Sequence, residues 1–323
     1  MILAGDPDLE EVGKADRCRS VLQNAGTPVA EVTALARLCP EPDGTKHVSL
    51  LVGDRNRRFR PRHKDQRAMC SETVWNGPIP GGSLYRVAVG PESPVKELYV
   101  TSSEFECALR ARYLSVPELA LLMTVQCGTF RELGDQMAYE QSPFTTVDKL
   151  CAQADSLGEG WYARRRFARA VNMTLEGCAS VPEAKVGILL SAPRSMGGWG
   201  LKRPKVNAEV EIPEDVLPLV ENRRRFIFDQ DYGCATWLEY DGKGHEEAED
   251  SILDDKEKIL AAVAMGGVVL PVTRRTMESY ERFEVVARTI ERRVLKVLPE
   301  CNGAVAEAQK SLFNTFKGWD PVC

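Results

Sequence analysis

The sequence has no uninterrupted apolar run near the roughly 18 residues that a membrane-crossing helix needs. Its opening, Met1-Ile-Leu-Ala-Gly-Asp-Pro7, lacks the charged and apolar regions of an export signal. No membrane association or secretion is expected. There is no Cys-x-x-Cys pair. The ten cysteines are scattered, no two closer than Cys107 and Cys127, which excludes a zinc ribbon and a dithiol redox motif. Without an export signal they read as reduced, buried thiols of a cytoplasmic protein. Positive charge is not in excess either: 42 Lys and Arg face 47 Asp and Glu, for a net charge of −5. That excludes a generally basic nucleic-acid coat but allows a local basic face. Histidines number three, and nothing local activates a Cys/His nucleophile pair. Met196-Gly-Gly-Trp-Gly200 has glycines but no Gly-Lys-Ser/Thr ending, so it reads as a turn and not a nucleotide loop.

What is present is ordinary for a folded chain: 43% hydrophobic and 28% charged residues over 323 positions. At about 150 residues per domain, that length suggests two parts. The first 100 or so residues read as irregular α+β, with β-branched runs at 48–52, 84–89 and 98–101. A basic stretch, Arg55–Lys64, lies between the first two runs, and an apolar-periodic stretch over 18–38 precedes them. From Ser102 to about Thr174 the pattern is helical, with Ser103 as the expected first N-cap and Glu106 three residues on. After a cut near residue 175 the character changes. Ser180-Val-Pro-Glu183 opens an apolar helix. Strands are expected over 208–212, 225–228 and 235–240, then a charged helix over 250–265. A buried strand over 268–272 and helices over 276–298 and 303–316 close the chain. Helix, three strands, helix and a late parallel strand make an α/β class. The expected division is 1–175, α+β and mainly helical, and 176–323.

Acidic residues in the second part fall where each could meet the others. Glu183 is in the first turn of its helix. Asp229 ends Arg225-Phe-Ile-Phe-Asp, and Glu239 and Asp241 alternate along Trp237-Leu-Glu-Tyr-Asp-Gly242 so that both project from one face. His245 follows. A hard divalent cation such as Mg²⁺ is held by one or two carboxylates and keeps its remaining waters. Phosphodiester hydrolysis needs an acidified water, a Lewis acid and a group to manage the leaving oxygen. His245, Lys243, Lys256 or Lys258 is available for the last role. Much of 239–258 also reads as plain solvated surface, with nine acidic and three Lys residues. Glu239 differs, because a Glu inside an apolar strand costs free energy unless a partner or metal meets it.

Glu239-Tyr-Asp-Gly-x-x-His245, with an Asp about ten residues upstream and Asp-x-x-Lys after it, resembles the very-short-patch-repair-like endonuclease domains of the PD-(D/E)xK restriction-endonuclease-like superfamily. The likeness covers about 180–295. It implies a mixed sheet flanked by helices and Mg²⁺- or Mn²⁺-dependent cleavage, most readily of DNA. It also implies a metal site from Asp229 and Glu239, Glu183 in support, and Asp241 and His245 at the catalytic site. Asp231 is a second candidate for the first carboxylate. The chain departs from the family signature at Asp241, where a Lys is usual, so the activating lysine is unassigned. Arg164, Arg165 and Arg166, and Arg223, Arg224 and Arg225, are the expected phosphate contacts. The alternative of another class is a catalytically inactive relative, acting as a DNA-binding regulator or an antitoxin-like partner. A homodimer or a protein partner is compatible with either.

Overall fold

The computed structural model describes residues 48–52, 70–74, 80, 82–87, 98–133, 136–220, 223–241, 249–295, 298–299 and 301–318. The expected helix over 18–38, the basic stretch 55–64, Lys243 and His245 lie outside the described residues. The chain divides into two compact units. The first contains Met1–Leu114, Arg131–Ala138 and Asp148–Ala168; the second contains Ser115–Phe130, Tyr139–Val147 and Arg169–Cys323. The sequence suggested one cut near 175, whereas this division returns twice to the N-terminal half.

In the first unit, β1 (Val48–Val52) pairs in parallel with β2 (Cys70–Val74), a strand that its polar sequence did not announce. Two antiparallel pairs follow: β3 (Leu84–Val87) with β4 (Leu98–Thr101), and β5 (Arg131–Leu133) with β6 (Gln136–Ala138). Helix α1 (Ser103–Arg110) is capped by Ser102, not Ser103: the Ser102 hydroxyl accepts the Phe105 N–H at 3.2 Å. With Ser102 as the cap, the capping-box position falls on Phe105, and Glu106 instead pairs with Arg110, one turn on, at 2.6 Å.

The second unit starts with α2 (Val116–Gln126), whose Ser115 and Glu118 form a reciprocal capping box. In the chain after α2 come α3 (Val147–Ser156) and α4 (Arg164–Val171), which lie mostly in the first unit. Helix α5 (Val181–Ser191) packs on α2, and both are apolar on nearly every side, the signature of core helices. A four-stranded mixed sheet follows, built from β7 (Lys205–Glu211), β8 (Arg225–Asp231), β9 (Thr236–Asp241) and β10 (Val268–Thr273). Its order is β10-β9-β8-β7, antiparallel except for the β9–β10 pair. Helix α6 (Glu249–Ala264) makes the crossover between the two parallel strands, as a parallel connection requires. The chain is therefore α/β in this unit, with helices flanking a mixed sheet.

Strand β10 read as buried from its run of Val and Leu. It is instead an edge strand, mostly half-exposed, with Pro271 facing solvent where no ladder donor is needed. The expected helix over 276–298 is two helices, α7 (Arg274–Met277) and α8 (Tyr280–Val294), because Ser279 accepts the Arg282 N–H and starts a new N-terminus. Helix α9 (Gly303–Gly318) closes the described chain, and Phe313 on it meets Phe283 and Tyr280 of α8.

The core between the sheet and α6 is formed by Phe226, Phe228 and Trp237 with Ala261 and Ala262 of the helix and Ile212, Val216 and Val220. Phe228 and Trp237 stack with centroids 4.8 Å apart and planes 13° from parallel. Gly267 makes this possible: a Cβ there would sit 2.3 Å from Cζ3 of Trp237 and 2.7 Å from the Ala235 carbonyl oxygen. Gly267→Ala should therefore push Trp237 out of its stack and cost about 1–3 kcal/mol. Urea unfolding measures this, and an unchanged midpoint would show that the stack tolerates the displacement.

Candidate functional site

Asp229 and Glu239 sit side by side where β8 and β9 run antiparallel, and each carboxylate is tied to the other strand's backbone. The Tyr240 N–H donates to Asp229 Oδ2 at 2.7 Å, and the Asp229 backbone favours the ionised form of the Glu239 carboxylate. The regular ladder between the two strands covers Gln230↔Leu238 and Asp231↔Trp237 only. Above it, side-chain oxygens take over as acceptors. Phe228 and Gln230 share strand parity, yet Phe228 stacks in the α6 core while Gln230 donates to the Glu183 carbonyl of α5 at 2.8 Å. The β7–β8 ladder also skips the Asn207–Asp229 position, where Asn207 has a φ of 48°.

The third member comes from α6. Lys258 Nζ is 2.6 Å from Glu239 Oε1 and 4.7 Å from the centroid of Phe228, with its side chain 17% exposed. The ammonium is thus braced between a carboxylate and an aromatic face. It lies on the turn of α6 preceding the buried Ala261 and Ala262, so the apolar periodicity that seats the helix also delivers the lysine. The sequence offered Lys258 only as one of three lysines for the leaving group.

Glu183 approaches from the start of α5. Its carboxyl receives the Ala179 N–H and the Ser180 hydroxyl, each at 2.8 Å, while the Ser180 hydroxyl also accepts the Glu183 N–H at 3.3 Å. It is 6% exposed. Beneath it a buried relay fixes α5 to the sheet: Tyr232 donates to Gln230 at 2.7 Å, and Gln230 donates to the Glu183 carbonyl. The sequence reading had missed this relay, because Gln230 and Tyr232 look like ordinary strand residues until their partners are seen.

These groups titrate as one set. Burial, then the Asp229 charge, pushes Glu183 up to about 7, against the Ala179 and Ser180 hydrogen bonds. Glu239 also rises to about 7, from burial and the Asp229 charge. Lys258 pulls it the other way and is outweighed. Asp229 is raised by burial, opposed by the Tyr240 N–H and by Lys258. Cys178, fully buried, is pushed well above its ordinary value by burial and then by Glu183 and Asp229. Three carboxyls that burial and the Asp229 charge drive toward neutrality, with Lys258 the ammonium paired to them among the described residues, form a place where further positive charge is favoured.

The other expected residues divide. Asp241 is exposed at the end of β9, two positions past Glu239. Asp231 accepts the Gly233 N–H at 2.7 Å in the turn after β8. Arg166 donates to the carbonyls of Ala111, Arg112 and Leu114 at the end of α1, Arg164 is 4.0 Å from Glu159, and Arg165 is exposed. Arg223, Arg224 and Arg225 are exposed; Arg225 pairs with Glu209 at 3.2 Å and Arg223 lies over Phe226. Among the described residues, no group of three or more His, Cys, Asp or Glu side chains could hold a metal ion. The carboxylate pair Asp229 and Glu239 has the composition that Mg²⁺ accepts, since that ion keeps most of its waters. Comparison of the chain with protein-family models, with curated proteins and with solved structures finds no match.

Folding raises the proton affinity of Glu183, so the folded state holds a proton that the unfolded chain releases between 4.5 and about 7. Stability falls as pH rises across that window. Glu183→Gln, a neutral mimic whose one amide oxygen can still accept the Ala179 N–H while its NH2 turns to donate to the Ser180 hydroxyl oxygen, should therefore stabilise the metal-free protein by about 1–3 kcal/mol at pH 8, a gain that vanishes near pH 5. Thermal unfolding across the pH range measures it. Destabilisation at pH 8 would mean that the ionised carboxylate is needed by the fold.

Proposed function

We propose that residues 176–323 form a metal-dependent nuclease with a restriction-endonuclease-like core, hydrolysing phosphodiester bonds, most readily in DNA. The observation that carries this reading is Lys258 Nζ at 2.6 Å from Glu239 Oε1, on strands that also bring Asp229 alongside. The resemblance left a lysine missing at Asp241. An ammonium delivered from α6 supplies the same charge at the same carboxylate. The order α5, β7, β8, β9, α6, β10, with β10 parallel to β9, also supports the reading.

Asp229 and Glu239 are the residues that would hold Mg²⁺ or Mn²⁺, and the ion when bound supplies a Lewis acid and an acidified water. The protein's own groups have separate tasks. Lys258, held in place by the Phe228 ring and shielded from solvent, sets a fixed positive charge where the transferring phosphoryl group gains negative charge. Glu183, about half ionised at pH 7, can keep or release a proton beside Asp229. The main-chain bonds to both carboxylates hold them aligned without waiting for substrate.

A second reading belongs to a different class: a silent relative that binds DNA or a protein partner. It is favoured by the absence, among the described residues, of any group of three or more His, Cys, Asp or Glu side chains able to hold a metal ion; Lys258 would then fasten α6 to the sheet through Glu239. Purified protein incubated with supercoiled, linear and single-stranded DNA and with RNA, in Mg²⁺ or Mn²⁺, separates the two. The nuclease reading expects cleavage that Asp229→Asn, Glu239→Gln and Lys258→Met each reduce by about 10² or more. Absence of cleavage of every substrate would select the silent relative.

A further inference from the structure

We infer that a polynucleotide backbone crosses one particular end of the sheet, held by Arg274 and Arg275 beyond β10 and by Arg223, Arg224 and Arg225 before β8. The phosphates it contacts flank the scissile one, so for cleavage the inference rests on the nuclease reading; for binding it stands alone. The register establishes the geometry. Pro271 faces Glu239 and Thr273 faces Asp241, so Arg274 follows directly on the end of the β9–β10 pair. Strand β8 runs the other way, with Gln230 opposite Leu238, so Arg225 lies at that same end, facing Glu211 of β7. Asp229 and Glu239 are displaced toward this end from the Gln230–Leu238 pair.

At about 3.3 Å per strand residue, Arg274 lies about 10 Å along the sheet from Glu239, and Arg225 about 13 Å from Asp229. One phosphate recurs about every 3.4 Å of axis along each strand of a duplex, so both arms reach phosphates a few nucleotides from the carboxylates.

Acidic neighbours do not cancel the arms. Arg274 pairs with Glu278 at 2.9 Å and Arg225 with Glu209 at 3.2 Å, but all four side chains are more than half exposed, and such pairs are readily exchanged for phosphate. Arg224 and Arg275 are exposed and have no carboxylate partner among the described residues. Asp241 and Glu211 lower the field at this end, which favours binding through specific arginine–phosphate contacts over diffuse attraction. The α4 arginines, by contrast, are partly committed, Arg166 to three carbonyls.

The test is fluorescence anisotropy of the full chain with labelled single-stranded DNA, duplex DNA and RNA oligonucleotides, titrated with NaCl in EDTA so that nothing is cleaved. Arg274→Ala with Arg275→Ala should weaken binding about tenfold and reduce the slope of log K against log salt by about 1.5–2, the share of two phosphate contacts. Arg165→Ala with Arg169→Ala should leave affinity within about twofold. Hydrolysis of bis(p-nitrophenyl) phosphate, too small to reach the arms, should be unchanged by the Arg274/Arg275 pair. Unaltered affinity and slope in that pair, or an equal loss from the α4 pair, would overturn the inference. Oligonucleotide binding without hydrolysis of any substrate would defeat the nuclease reading and leave the binding surface standing. Hydrolysis of the small diester with no oligonucleotide binding would do the reverse.

Discussion

The sheet of the second unit holds a local surplus of buried acid among the described residues. Three carboxyl groups, Glu183, Asp229 and Glu239, are largely withdrawn from water, the Asp229 charge acts on both of the others, and among the described residues Lys258 is the ammonium paired with Glu239. Burying acids without counter-charge is costly, and proteins otherwise avoid it by neutralising the group or surrounding it with donors. Here both devices are used: backbone groups of Ala179, Asp229 and Tyr240 meet the carboxylates, and two of the acids rise to about 7. A fold that needed only a fastening between α6 and the sheet could have used a single apolar contact. The retained surplus of acid is the physical argument for a site.

The rigidity of that site comes from apolar packing. Phe228 belongs to the core with Trp237, Ala261 and Ala262, and its ring also supports the Lys258 ammonium. The lysine position is therefore inherited from the seating of α6 on the sheet. On the other side, the Tyr232–Gln230 relay fixes α5 and carries Glu183 toward Asp229. Both helices are in this way referenced to β8, α5 through Gln230 and α6 through Phe228.

Much of this was legible in the sequence. Alternation in Arg225-Phe-Ile-Phe-Asp and in Trp237-Leu-Glu-Tyr-Asp identified both central strands, and Ser180-Val-Pro-Glu183 identified the helix start. The pairing of Asp229 with Glu239 was expected from their neighbouring positions on those strands. The role of Lys258 was not readable, because its partner is on another element and helix rotation decides which of Lys256 and Lys258 turns inward. Lys256 is exposed and Lys258 is not. The edge position of β10 was hidden by its composition, since Val and Leu suit a half-covered strand as well as a central one. Strand β2 escaped because Cys70-Ser-Glu-Thr-Val74 carries neither alternation nor an apolar run. His245 lies outside the described residues, and its part in the chemistry is unassigned by the geometry.

The central claim is that the carboxylate pair on β8 and β9 is built to receive a cation. Calorimetric titration of the metal-free protein with Mn²⁺ addresses it without requiring a substrate. The account predicts one ion per chain, released protons, affinity that rises steeply as pH passes through about 7, and loss of the heat signal in Asp229→Asn and Glu239→Gln. Binding that is absent at pH 8, or that persists unchanged in both variants, would contradict it.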